Sequence, residues 1–173
     1  MFTIGHSTRS FEEFTALLLE NNVQLLADVR RFPGSRKYPH FGKDALAQDL
    51  PLKGISYQHF PELGGRRQPV KNSINTAWRN TAFRGYADYM QTDEFTEAIQ
   101  KLITTADESK TAIMCSEAVW WRCHRSLISD YLKASGTEVY HIMAPGKVQL
   151  HPYTSAAKIV DGKLSYLADN ELF

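Results

Sequence analysis

Between Thr111 and Gly136 the chain changes periodicity twice, and that change confines the fold more than any other stretch. Thr111 to Met114 is a short, largely apolar run behind a charged turn, the pattern of a buried strand. Cys115, Glu117, Arg122, Cys123, His124 and Arg125 follow within eleven residues, with no acid after Glu117 until Asp130. Leu127, Ile128, Tyr131 and Leu132 then recur at helical spacing, and Gly136 offers a C-terminal stop. Strand, polar loop and helix in this order predict one unit of an open α/β sheet. Such sheets hold ligands at the carboxyl ends of strands and the N-termini of helices.

The rest of the chain extends the same pattern. Met1 to Ile4 reads as a buried strand ending in Gly5-His6-Ser7, and Ser10 with Glu13 has the spacing of a capping box. Phe11, Phe14, Leu17 and Leu18 line one face of the helix that follows, and Asn21-Asn22 can end it. Val23 to Val29 is a second strand, ending in Asp28-Val-Arg30, and strand, helix and strand this compact predict a right-handed parallel unit. Asp44 to Leu50 reads as a short helix and Ile55 to Phe60 as a strand leading into Gly64-Gly65, where the chain can approach other backbone closely. Helices are expected from Tyr86 and over Phe95 to Ile103, a strand over Thr137 to Met143, and a hairpin around Asp161-Gly162. The expected fold is a single α/β domain over residues 1–173. Its sheet is open, mostly parallel and of about five strands, with helices on both faces and a C-terminal β-hairpin.

At 173 residues the chain is long enough for a sizeable core, and its twenty basic and nineteen acidic side chains nearly cancel. Net charge therefore points to no partner, but its distribution does. Asp28 to Asp44 encloses Arg30, Arg31, Arg36, Lys37 and Lys43 with no acid between, and Glu62 to Asp88 encloses Arg66, Arg67, Lys71, Arg79 and Arg84 in the same way. Segregated basic surface suits an anionic ligand, although a solvated basic face explains it equally well. Two cysteines do not make a disulfide framework, and with no leader-like start and no membrane-length apolar run a reducing cytoplasm is expected.

Ile4-Gly-His-Ser7, Asp28-Val-Arg30 with Pro33 and Ser35, Leu63-Gly-Gly65, Phe83 with Tyr86 and Met90, Cys115-x-Glu117, Cys123-His-Arg125 and Val139-Tyr-His-Ile142 occur in that order. This series resembles the bacterial and archaeal family catalogued as domain of unknown function number 488. The resemblance implies a compact α/β domain and a cytoplasmic setting. It implies no activity.

The chemistry rests on the residues. With the first strand beside the strand before Cys115, the side chains of His6, Ser7, Asp28, Arg30, Cys115 and Glu117 face one crevice at the switch point of the sheet. Packing alone accounts poorly for six such residues at three strand ends. Arg30, Arg122 and Arg125 are candidates for phosphate or carboxylate, helped by amides of the helix that begins near Cys123-His124. Arg66, Arg67, Trp121 and His124 complete the candidate ligand contacts, since aromatics among arginines can stack bases. Of the neighbouring Trp120 and Trp121, one is expected to be exposed. Cys115, Glu117 and Asp28 are the candidate catalytic groups, although Cys115 to Arg122 is Cys-x6-Arg, one residue longer than a phosphatase loop. Cys123 and His124, as neighbours on a helix, are expected to diverge and so form no dyad. Cys115, Cys123, His124 and His6 could meet at a zinc ion, but paired metal-ligand spacing is absent, so metal is the minority reading, no metal is expected and no cofactor is called for. The segment from Arg66 to Arg84 is expected to be a mobile lid. The leading expectation is binding of a nucleic acid or nucleotide, with no membrane partner. The alternative is a cysteine- or glutamate-dependent enzyme acting on a small anionic substrate.

Overall fold

The computed structural model describes residues 1–34 and 36–168, so Ser35 lies outside the described residues. Strands β1 (Phe2–Gly5), β2 (Leu25–Asp28), β3 (Ser56–His59), β4 (Thr111–Cys115), β5 (Tyr140–Ala144) and β6 (Lys147–Leu150) form one sheet in the order β3-β2-β4-β1-β5-β6. The first five are mutually parallel and β6 returns antiparallel to β5. Six strands agree with the open, mostly parallel sheet of about five that the sequence predicts, β6 being an added edge strand. Lys147 to Leu150 is exposed throughout. An edge strand of this kind carries no buried apolar run to reveal it. Strands β7 (Lys158–Val160) and β8 (Lys163–Ser165) make the C-terminal hairpin. Asp161 and Gly162 both take positive φ at its tip, as a two-residue turn of this hand requires.

Helices α1 (Phe11–Glu20) and α2 (Lys43–Asp49) cover one face of the sheet, where Phe14, Leu18, Leu46 and Leu50 bury against Ile4, Leu26, Ala112 and Met114. Helices α3 (Thr81–Tyr89), α4 (Asp93–Glu108) and α5 (Arg125–Ala134) cover the other, packing Tyr86, Phe95, Ile99, Leu127 and Ile128 against Ala27 and Ile113. Alternate residues of β2 and β4 thus feed opposite cores, the period-2 consequence of a strand buried on both faces. Local signals match this packing. Ser10 accepts from the Glu13 amide while Glu13 reaches back to the Ser10 amide, closing the capping box of α1. Asn80 caps α3 and Thr92 caps α4 through their side-chain oxygens. Among the described residues no helix is long and apolar enough to cross a membrane.

The segment from Arg66 to Asn80 carries no helix or strand. It is not, however, a free-hinged lid. The buried carboxylate of Asp88 accepts from the Val70 amide, the Ser73 hydroxyl and the Asn75 amide group, at 2.9, 2.6 and 2.7 Å. Ala77 donates to the Tyr166 carbonyl, and Trp78 packs against Phe83 and Tyr166. An acid placed just beyond the basic run ties it down.

Candidate active site

β1, β4 and β2 end side by side, and a cleft of about 530 Å³ opens at their carboxyl ends. Its walls are His6, Ser7 and Thr8 after β1, Arg30, Arg31 and Phe32 after β2, and Gly65 and Arg66 beyond β3. Cys115 at the end of β4, Ser116 to Ala118 after it and His124 before α5 line the cleft too, with Gly34 and Tyr38 from the loop after β2. Three glycines let these segments meet. A Cβ at Gly5 would overlap the Glu117 carbonyl, one at Gly64 would come within 2.6 Å of Arg31 Cβ, and one at Gly65 within 3.0 Å of His124 Nδ1. The paired glycines thus press their loop against the ends of β2 and the start of α5.

Asp28 and Arg30 point the same way from β2, as their spacing predicts. Asp28 is fully buried and accepts from Arg30 Nε at 2.8 Å, Arg30 Nη2 at 2.6 Å and Tyr57 Oη at 2.7 Å. It therefore lies behind the cleft wall as the counter-charge of Arg30, and the charge of Arg30 is already neutralised. Arg30 also donates to the Phe41 carbonyl and, from Nη1, toward His6 Nε2 at 3.4 Å. His6 donates from Nδ1 to the Ser7 carbonyl, which leaves Nε2 as its acceptor. Burial, with Arg30 alongside, pulls His6 down to about 4. The ring is neutral near pH 7.

The loop after β4 differs from expectation in two ways. First, Arg125 is 1% exposed and faces inward, donating to the Glu117 and Thr3 oxygens and to Cys123 Sγ. It holds the loop shape and does not present its guanidinium to a ligand. Glu117 joins that contact through its backbone carbonyl, and its residue is exposed at the cleft rim. Second, Cys123 and His124 do not diverge. The helix begins at Arg125, Cys123 is extended and His124 only caps α5, so Cys123 Sγ lies 3.6 Å from His124 Nδ1.

These thiols are unequal. Cys115 shares a hydrogen bond with Cys123 and is buried, and the two effects push it up to about 12. Burial also works against a Cys123 thiolate, but the Cys115 hydrogen bond and the Arg125 charge outweigh it and bring Cys123 down to about 6. The Arg125 amide and Nε both donate to the Cys123 sulfur at 3.5 Å. His124 donates from Nε2 to the Val29 carbonyl at 3.1 Å, tying α5 to the end of β2. Ligand atoms of Cys115, Cys123 and His124 all lie within 4.8 Å of one another.

Behind the loop runs a buried polar series. Arg125 donates to Thr3, Thr3 meets His141 at 2.6 Å, His141 meets His151 at 2.9 Å, and His151 meets Asp130 at 2.9 Å. A carboxylate only accepts, so His151 Nε2 donates to Asp130, and the series links Arg125 to Asp130 through Thr3 and two imidazoles. Trp120 stacks flat on His141, 4.5 Å between centroids, which accounts for its burial while Trp121 is half exposed.

Of the sequence candidates, His6, Ser7, Arg30, Arg66, Cys115, Glu117 and His124 reach the cleft. Asp28 and Arg125 are buried behind it, and Trp121, Arg122 and Arg67 do not line it. Arg67 lies instead over the Tyr89 ring at 3.5 Å and donates to the Glu62 carbonyl. Arg31 and Phe32 also line the cleft, and for Arg31 the sequence carries a signal, since it adjoins Arg30 beyond a strand end. Cys123 belongs to the minority metal reading of the sequence, and its closeness to His124 depends on where α5 begins.

No curated protein and no solved structure matches this chain. A family model does match, over residues 10–132, from the cap of α1 into α5. It therefore spans Asp28-x-Arg30, Gly64-Gly65, Cys115-x-Glu117 and Cys123-His-Arg125, and the chain belongs to the DUF488 family, a domain of unknown function.

Proposed function

We propose that the cleft binds a small phosphate-bearing ligand of nucleotide size. The supporting observation is the charge state of its arginines. Arg30 is neutralised by Asp28, whereas Arg31 and Arg66 are exposed on the cleft wall and form no ion pair among the described residues. Two such guanidiniums offer forked donors to phosphate oxygens. Phe32, 68% exposed beside them, and Tyr38 offer ring faces to a base. The cleft volume lies within the range of small-molecule sites, whereas Arg67, Arg122 and Trp121 stand off it, which favours a nucleotide over a polymer.

Calorimetry with a mononucleotide and with a single-stranded oligonucleotide tests this reading. Arg31→Ala and Arg66→Ala should each weaken mononucleotide binding by about 10-fold or more, as charged hydrogen bonds of about 1.5–3 kcal/mol imply. For the oligonucleotide, log K should fall with log salt by about 0.7 per phosphate contact, giving a slope of no more than about two contacts. A steeper slope would restore the nucleic-acid reading. No binding of either probe would reject both.

A thiol enzyme acting on a small anion is the second reading, favoured by Cys115 in the cleft wall. The thiol that faces the cleft is, however, the one that keeps its proton, which counts against it as an unaided nucleophile.

A further inference from the structure

The thiol and imidazole groups at the cleft floor remain without a role in anion binding. We infer that Cys115, Cys123 and His124 form a site for one divalent cation of zinc type, with its fourth position open to the cleft. The inference rests on these three side chains and stands apart from the phosphate reading.

Four geometric observations carry it. Ligand atoms of all three residues lie within 4.8 Å of one another, and Cys123 Sγ to His124 Nδ1 is 3.6 Å. A tetrahedral zinc with Zn–S of about 2.3 Å and Zn–N of about 2.0–2.1 Å sets its sulfur and nitrogen about 3.6 Å apart. The imidazole is also oriented as a ligand would be. Its Nε2 donates to the Val29 carbonyl, which leaves Nδ1, turned toward the sulfur, as the nitrogen available to a metal. Cys123 Sγ already accepts two N–H groups of Arg125, the outer contacts that a metal-bound thiolate keeps. Finally, Gly65 leaves the flank of Nδ1 clear, where a Cβ would stand 3.0 Å away.

The donor set selects the ion. Two thiolates and one imidazole suit zinc, are too soft for magnesium or calcium, and balance a 2+ charge. Each thiol that carries a proton releases it to solvent on binding, and no redox change is involved. Three protein ligands leave one position free, and Cys115 and His124 both line the cleft, so that position faces the cleft. The spacing Cys-x7-Cys-His contains no paired motif, which is why the sequence alone spoke against a metal.

Cobalt(II) titration of reduced, metal-free protein provides the test. The wild type should bind one Co²⁺ per chain, with a sulfur-to-cobalt charge-transfer band and the intense visible bands of tetrahedral cobalt, and Zn²⁺ should displace it. Cys115→Ser, Cys123→Ser and His124→Gln should each weaken binding by more than the roughly 10- to 100-fold that loss of an outer-shell partner costs. Far-UV circular dichroism checks that each variant is folded, and the wild-type spectrum decides the matter even if none is. Absence of the charge-transfer band in wild type overturns the inference. Its persistence at wild-type affinity in folded Cys115→Ser or His124→Gln overturns it equally.

Discussion

A methyl group at Gly5 would overlap the Glu117 carbonyl and stand 2.9 Å from the Arg125 guanidinium. Both are backbone-anchored or fully buried, so neither can swing aside. Gly5→Ala should therefore cost about 1–3 kcal/mol in denaturant unfolding, the usual range for overpacking a tight interior. Gly34→Ala is the control, because nothing lies within 4 Å of its Cβ position, and its cost should stay within about 0.5 kcal/mol. Equal costs would mean that the floor of the cleft is looser than its geometry indicates. Residue type was a poor guide at this scale. Arg30 and Arg125 looked like ligand contacts, yet Arg30 is paired to Asp28 and Arg125 is buried among Thr3, Cys123 and Glu117. The Arg30 partner is two residues away and could be suspected from Asp28-x-Arg30, whereas the Arg125 contacts to Thr3 and Glu117 depend on how the strands and loop come together.

Elements were more legible than residues, for physical reasons. β1, β2 and β4 are short apolar runs closed by polar residues, and α1 announces itself by its capping box. β6 leaves little signal in the sequence because both its faces are exposed, and the pattern predicts a start for α5 one or two residues before Arg125. That small shift decides whether Cys123 meets His124. The C-terminal hairpin was visible from Asp161-Gly162, but its attachment was not. Asp130 of α5 accepts from His151 Nε2, the Thr154 amide and hydroxyl, and Tyr166 Oη, so one buried carboxylate holds residues 151–166 against the helix. Asp130→Ala should cost about 3–5 kcal/mol, since it strands buried donors. Hydrogen exchange should quicken first over residues 158–165 while β1 and β4 stay protected. Uniform loss of protection would show that the tail and the sheet unfold as one unit.

At the scale of the whole molecule, two neutral histidines link the cleft and the interior to pH. Burial is the first cause for both. It holds His141 down to about 2, helped by the nearby His151 and Arg125, and it holds His6 down to about 4 with Arg30 adding to it. His141 faces Thr3, His151 and the Trp120 ring, and His6 faces Arg30, His40, Asp28 and Phe41, so the hydrogen bond to the Ser7 carbonyl and, less strongly, the carboxylate of Asp28 oppose the shift at His6 without cancelling it. Because both folded values lie below the ordinary 6.5, the unfolded chain binds more protons than the folded one as pH drops. Stability is therefore complete above about pH 6.5 and is lost below it, continuing to about pH 4 for His6 and lower still for His141. Each fully engaged group contributes about 1.4 kcal/mol per pH unit, so the slope between pH 6 and 4.5 should approach about 2–3 kcal/mol per unit. Urea unfolding across pH 7.5 to 4.5 measures it, and His6→Gln should remove roughly half of the slope. A flat profile over that range would mean that these rings take up protons within the fold. In that case a neutral His141 within the series from Arg125 to Asp130 would be wrong as well.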